Sequence, residues 1–89
     1  MRATVAERAR ILVVDDEVGP RESLRMILKP HYEIATADSG EAALQTISTF
    51  HPDVVFMDIK MPEMDGVEAL RRIKNQDPAI EVVMITAYA

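Results

Sequence analysis

Three aspartates in this chain stand where an apolar run ends. Asp15 and Asp16 follow Ile11-Leu12-Val13-Val14, and Asp58 follows Val54-Val55-Phe56-Met57. A third such run, Val82-Val83-Met84-Ile85, ends in Thr86. Carboxylates gathered at one place repel, so either their pKa values rise or a cation neutralises them. An oxygen-only ligand set selects a hard divalent ion. Mg²⁺ suits it, because Mg²⁺ is commonly held by one or two carboxylates together with water and a phosphate oxygen. One carboxylate can then act as nucleophile toward phosphorus and form an acyl phosphate. The metal offsets charge on the equatorial oxygens, and the Thr86 hydroxyl donates a hydrogen bond.

This chemistry requires elements that bring the three segments together. The apolar runs are short, continuous and rich in β-branched residues, which reads as strands covered on both faces, as in a parallel sheet. Between them lie helical stripes. Gly19-Pro20 opens the first, with Leu24, Ile27 and Leu28 on one face, and Pro30 closes it. Tyr32, Ile34 and Thr36 alternate with Glu33 and Ala35, suiting a strand nearer the sheet edge. Ser39-Gly40 starts a second helix with the stripe Ala43, Leu44, Ile47 and Phe50, ended by Pro52. Asp65 and Glu68 are spaced as a capping box ahead of a third helix, with Val67, Leu70 and Ile73 as its apolar stripe, and Asp77-Pro78 breaks it. The order is βαβαβαβ with parallel strands. In such sheets ligands bind beyond the carboxyl ends of the strands, where strand order reverses. If the first and third strands flank that point, Asp15, Asp16 and Asp58 converge, and Thr86 reaches the same rim.

Composition narrows the partners. The 89 residues suffice for one small domain, and 48% hydrophobic with 28% charged residues is ordinary for a globular chain. The formal charge of −5 opposes nucleic acid and anionic lipid. No cysteine is present, which excludes disulfides, thiolate nucleophiles and Cys-based zinc sites. No run approaches membrane-spanning length and residues 1–9 lack the apolar core of a leader, so the cytoplasm is the expected compartment. Residues 1–9 are expected to form a flexible extension to a domain over 10–89.

In order and spacing, Ile11-Leu12-Val13-Val14-Asp15-Asp16-Glu17, Met57-Asp58-Ile59-Lys60-Met61-Pro62-Glu63-Met64-Asp65-Gly66 and Ile85-Thr86-Ala87 resemble the receiver domain of two-component response regulators. The resemblance covers residues 10–89. It implies a flavodoxin-like three-layer α/β/α fold, with Asp58 as phosphoacceptor, Asp16 as direct metal ligand and Asp15 as a metal partner through water. It further implies the Lys60 backbone carbonyl as a metal ligand, Thr86 as the switch hydroxyl, Ala87 as the small residue that leaves space for the phosphoryl group, and Gly66 as the glycine closing the loop into the third helix. The implied cofactor is Mg²⁺. The implied partner is a sensor histidine kinase or phosphotransfer protein, and the implied action is phosphotransfer to the domain itself.

The chain also departs from the family pattern. Receivers usually continue through a further helix, a fifth strand bearing a lysine that contacts the phosphoryl oxygens, and a last helix. Neither Lys60 nor Lys74 occupies the place of that lysine, which removes one positive charge from the transition state. An incomplete fold is therefore expected to expose apolar surface beside the first helix and to leave Val82–Ile85 as an open edge, favouring a homodimer. Two other readings stand beside the leading one. An aspartyl phosphatase of the haloacid dehalogenase type needs a second aspartate two positions after the first, where this chain has Glu17. An interaction module with an idle acidic site needs no chemistry at all. Taken singly, Asp15-Asp16 reads as helix-start acids, Asp58 as a turn residue and Thr86 as an ordinary strand residue. Only their joint placement favours chemistry. Asp65 reads as a structural cap, and His31 and His51 as solvated loop residues.

Overall fold

The computed structural model describes residues 8–59 and 66–85, and the elements follow the expected order: β1 (Arg10–Val14), α1 (Val18–Leu28), β2 (Glu33–Ala37), α2 (Gly40–Phe50), β3 (Val54–Asp58), α3 (Gly66–Gln76) and β4 (Glu81–Ile85). The four strands form one parallel sheet in the order β2-β1-β3-β4. Chain order reverses between β1 and β3, the point at which an open α/β sheet presents a crevice. The fold is the three-layer, receiver-type α/β arrangement.

Alternation along the strands divides the core in two. Leu12 and Val14 of β1, with Val55 and Met57 of β3, join Ala43 and Ile47 of α2 and Ala69 and Ile73 of α3 in one buried cluster, closed by Ala37 and Ile80. Each large apolar side chain buried there stabilises the fold by about 1.5–3 kcal/mol before entropy is counted. Ile11 and Val13 point to the opposite face and are also buried. There α1 packs against β1 and β2. β1 is thus covered on both sides, as its continuous apolar run requires.

Two helical stripes differ from expectation. On α3 the buried residues are Ala69 and Ile73, Leu70 is half-buried, and Val67 is 68% exposed. Positions 69 and 73 lie one above the other, and 67 projects away from that line. Ala69 and Ile73 are the α3 residues that join the buried cluster, and α2 is the element that α3 approaches most closely. On α1 no residue is buried. Leu24 and Leu28 are half-buried, while Met26 and Ile27 are 64% and 67% exposed. Among the described residues, α1 has the sheet on one side and no second helix along its flank to cover Ile27.

Local signals behave as their chemistry dictates. Ser39 caps α2, its Oγ accepting from the Ala42 amide at 3.1 Å. α2 ends in His51, which adopts the left-handed conformation at φ 54° and donates its amide to the Ile47 carbonyl. The expected cap of α3 rests on Asp65, which lies outside the described residues. Glu68 accepts from Arg71 and Arg72, and Arg72 also meets Glu41 at 3.6 Å, joining α2 to α3. Lys74 donates its ammonium to the Pro78 and Ile80 carbonyls, fixing the turn from α3 into β4.

Candidate functional site: an acidic cluster at the strand ends

Strand register explains how residues 43 positions apart in the sequence meet. Val14 of β1 lies opposite Met57 of β3, so the next residues, Asp15 and Asp58, leave the sheet side by side. Asp58 in turn lies opposite Ile85 of β4, and the Ile59 amide donates to the Ile85 carbonyl. One carboxylate oxygen from each of Asp15, Asp16 and Asp58 lies within 4.8 Å of the others. Asp15 and Asp58 are buried, at 7% and 6% exposure, and Asp16 is exposed.

Asp15 is held at three points. Its amide donates to the Ala37 carbonyl of β2 at 3.1 Å, its carbonyl accepts from Arg21 Nη1 at 2.8 Å, and its Oδ1 accepts from the Glu17 amide at 2.9 Å. The last bond turns the chain sharply out of β1 and into α1. Burial pushes the Asp15 carboxyl above its ordinary value of 3.8. The Asp58 and Asp16 charges add to that rise, while the Glu17 amide, more strongly than the Arg21 charge, opposes it. Burial is thus the leading cause of the rise, and the neighbouring carboxylates reinforce it. The donor set is all oxygen, with two carboxylates sequestered and one open to solvent. Such a set fits a hard divalent cation that keeps part of its water, and Mg²⁺ meets that description.

Of the other expected site residues, Lys60, Thr86 and Ala87 lie outside the described residues. Their neighbours Ile59 and Ile85 end on the same lip. Sequence reasoning missed Arg21, whose guanidinium reaches back one and a half turns to the Asp15 carbonyl. Its only advance sign was a cation six residues after the first acid.

The response regulator receiver domain family matches residues 11–89, nearly the whole chain. This chain belongs to that family. The receiver is 43% identical over 81 residues to the regulatory protein AtoC of Escherichia coli K12, a match covering 90% of this chain and 18% of AtoC. It is 41% identical over 80 residues to sporulation initiation phosphotransferase F of Bacillus subtilis, covering 89% of this chain and 64% of that protein. The chain therefore spans less than two-thirds of either relative. Among solved structures, the response regulator TrrA of Thermotoga maritima, in complex with Mg²⁺ and BeF, superposes with a TM-score of 0.83 at 40% identity, covering 91% of this receiver and 71% of TrrA. A CheY-like receiver from Methanospirillum hungatei gives a TM-score of 0.87 at 32% identity, covering 93% and 67%. No helix among the described residues is long and apolar enough to cross a membrane.

Proposed function

We propose that this receiver is the phosphoacceptor of a two-component system, taking a phosphoryl group on Asp58 from the phosphohistidine of a partner kinase or phosphotransfer protein. The observation that carries the reading is the meeting of Asp15, Asp16 and Asp58 within 4.8 Å at the reversal point of a parallel sheet. A relative of the same fold that holds Mg²⁺ and BeF supports it.

In the proposed reaction an Asp58 carboxylate oxygen forms the new bond to phosphorus as the bond from phosphorus to the donor's imidazole nitrogen breaks. The electron pair leaves with the imidazole, which takes up a proton. Asp16 and Asp58 would hold Mg²⁺ directly, Asp15 through water, with the Lys60 carbonyl as a further ligand. When bound, the metal supplies charge to offset that on the phosphoryl oxygens. Thr86 would hydrogen-bond the transferred group, and Ala87 would leave space for it. Burial of Asp58 keeps bulk water from competing at the nucleophile. The chemistry is modification of the domain itself rather than turnover of an external substrate. The receiver unit is assigned to residues 10–89, with 1–9 outside it, and the compartment to the cytoplasm, where the phosphodonor would be met.

The test is exposure to a small-molecule acyl phosphate with Mg²⁺ or with a chelator, read by intact mass. The expected product carries one phosphoryl group, forms only with the metal and is lost in Asp58→Asn. Unmodified protein under all conditions would instead favour the idle interaction module.

A homodimer is part of the same proposal. β4 is the outer strand among the described residues, its Val83 is 43% exposed beside half-buried Phe56, and Met26 and Ile27 lie open on α1. Edge pairing or contact between these apolar surfaces of two copies would cover them. A light-scattering mass of a single chain at high concentration would refute it.

A further inference from the structure

We infer that Arg21 is a positioning residue for the acidic cluster, its guanidinium aligning the Asp15–Asp16 segment for cation binding through the Asp15 carbonyl. The inference rests on the proposed Mg²⁺ site.

The argument starts from which atoms are fixed. The carbonyl of Asp15 lies in the same rigid peptide plane as the Asp16 nitrogen and Cα. A bond to that oxygen therefore sets the direction in which Asp16 leaves the loop. Arg21 Nη1 makes this bond at 2.8 Å. Asp16 is exposed, so packing does not orient its carboxylate. Asp15, by contrast, is fixed at its own position by burial and by the Ala37 carbonyl, so what Arg21 sets is the loop that follows, including the Glu17 amide that closes it. Arg21 is thus placed to determine the aspartate that the rest of the fold leaves free.

The placement of Arg21 excludes a mainly packing role. It lies in the first turn and a half of α1, a helix with no buried residue, and its amide donates to the Glu17 carbonyl at 3.2 Å. Its side chain is half-buried and borders an open cleft of about 270 Å³ shared with Thr36, Ala37, Asp38 and Ala42. Truncating it would enlarge a space already open rather than empty the core. A guanidinium suits the task, because it stays charged and its planar fork loses little freedom for each bond it forms. Groups one bond removed from a metal ligand commonly control affinity by orienting it.

The sign of the effect separates positioning from simple electrostatics. A cation beside a cation site repels the incoming metal, so removing the Arg21 charge alone should tighten Mg²⁺ binding. Loss of alignment should weaken it. We therefore expect Arg21→Ala to raise the Mg²⁺ dissociation constant about tenfold in calorimetry, with Arg21→Lys restoring most of the loss. In the metal-free proteins, hydrogen exchange at the Glu17 amide, the donor to Asp15 Oδ1, should accelerate in Arg21→Ala and return toward the parent rate in Arg21→Lys. Unchanged or tighter Mg²⁺ binding by folded Arg21→Ala overturns the inference. Should the parent chain itself bind no Mg²⁺, the proposed function fails on its own account, and unaltered Glu17 exchange in the metal-free variant then refutes the role of Arg21 independently.

Discussion

Replacing Asp58 with Asn should make the metal-free protein more stable and at the same time remove the response to Mg²⁺. The magnitude follows from the cluster's geometry. With ligand oxygens no more than 4.8 Å apart, a pair of unit charges repels by about 1 kcal/mol in bulk water and by about 3.5 kcal/mol at an effective dielectric near 20. Asp15 and Asp58 are both buried, so their pair lies toward the upper figure, while exposed Asp16 contributes toward the lower. Asn has nearly the same shape, keeps one acceptor oxygen and carries no charge. Part of the relief is offset by whatever hydrogen bonding the second carboxylate oxygen loses, leaving a net gain of about 2 kcal/mol. In a domain of this size that is a rise of roughly 10 °C in Tm. Mg²⁺ should reverse the order. At a hundred times its dissociation constant it stabilises the parent protein by about 2.7 kcal/mol, and it does little for a variant with a neutral side chain at the centre of the site. Thermal or urea unfolding of both proteins, in chelator and in Mg²⁺, should therefore give curves that cross. A variant less stable than the parent in chelator, or one stabilised equally by Mg²⁺, would refute the claim that three repelling carboxylates form a cation site.

Asp15 carries a pH signature, since its carboxyl titrates higher in the folded than in the unfolded chain. The folded state binds the proton more tightly, so this group makes the metal-free protein more stable as pH falls from neutrality toward 3.8, and Asp15→Asn should flatten that slope in chelator-treated urea midpoints. Ser39→Ala removes the oxygen that caps α2 and should cost about 1 kcal/mol in denaturant unfolding, with Ser39→Asp close to neutral. Ile73→Ala, at a fully buried site between α3 and the sheet, should cost about 2–5 kcal/mol, and a loss under 1 kcal/mol would show that the α3 contact is loose. Val83→Lys, on the open face of the outer strand, should lower the average mass in light scattering at high concentration while leaving Mg²⁺ binding intact.

Much of this protein is legible in its sequence. Periodicity marks the elements because strands and helices bury different repeats of the chain, and the strand that must be covered on both faces, Ile11–Val14, reads as an unbroken apolar run. Punctuation was equally direct, with Ser39 at a helix start and Pro52 after a helix end. The stripes on α1 and α3 were less secure. Hydrophobicity ranks Val67 and Ile27 above Ala69, yet burial depends on which line of side chains the neighbouring elements meet, and on α3 that line runs through Ala69 and Ile73.

The acids themselves were found by type and position, each at the end of a strand. Their distances were not, because convergence of Asp15 with Asp58 depends on β1 and β3 being neighbours in a register that pairs Val14 with Met57. A one-residue slip would have turned one of them to the other face. Arg21 was invisible for a related reason. A cation on a helix has many solvated conformations, and only the sharp turn at Glu17 brings this one back over the Asp15 carbonyl. Local sequence thus determined the elements and the chemistry available at their ends, since both depend on residues near in the chain. Which of those ends meet, and what holds them in line, was decided by strand pairing and packing across 43 residues of separation, which no local pattern encodes.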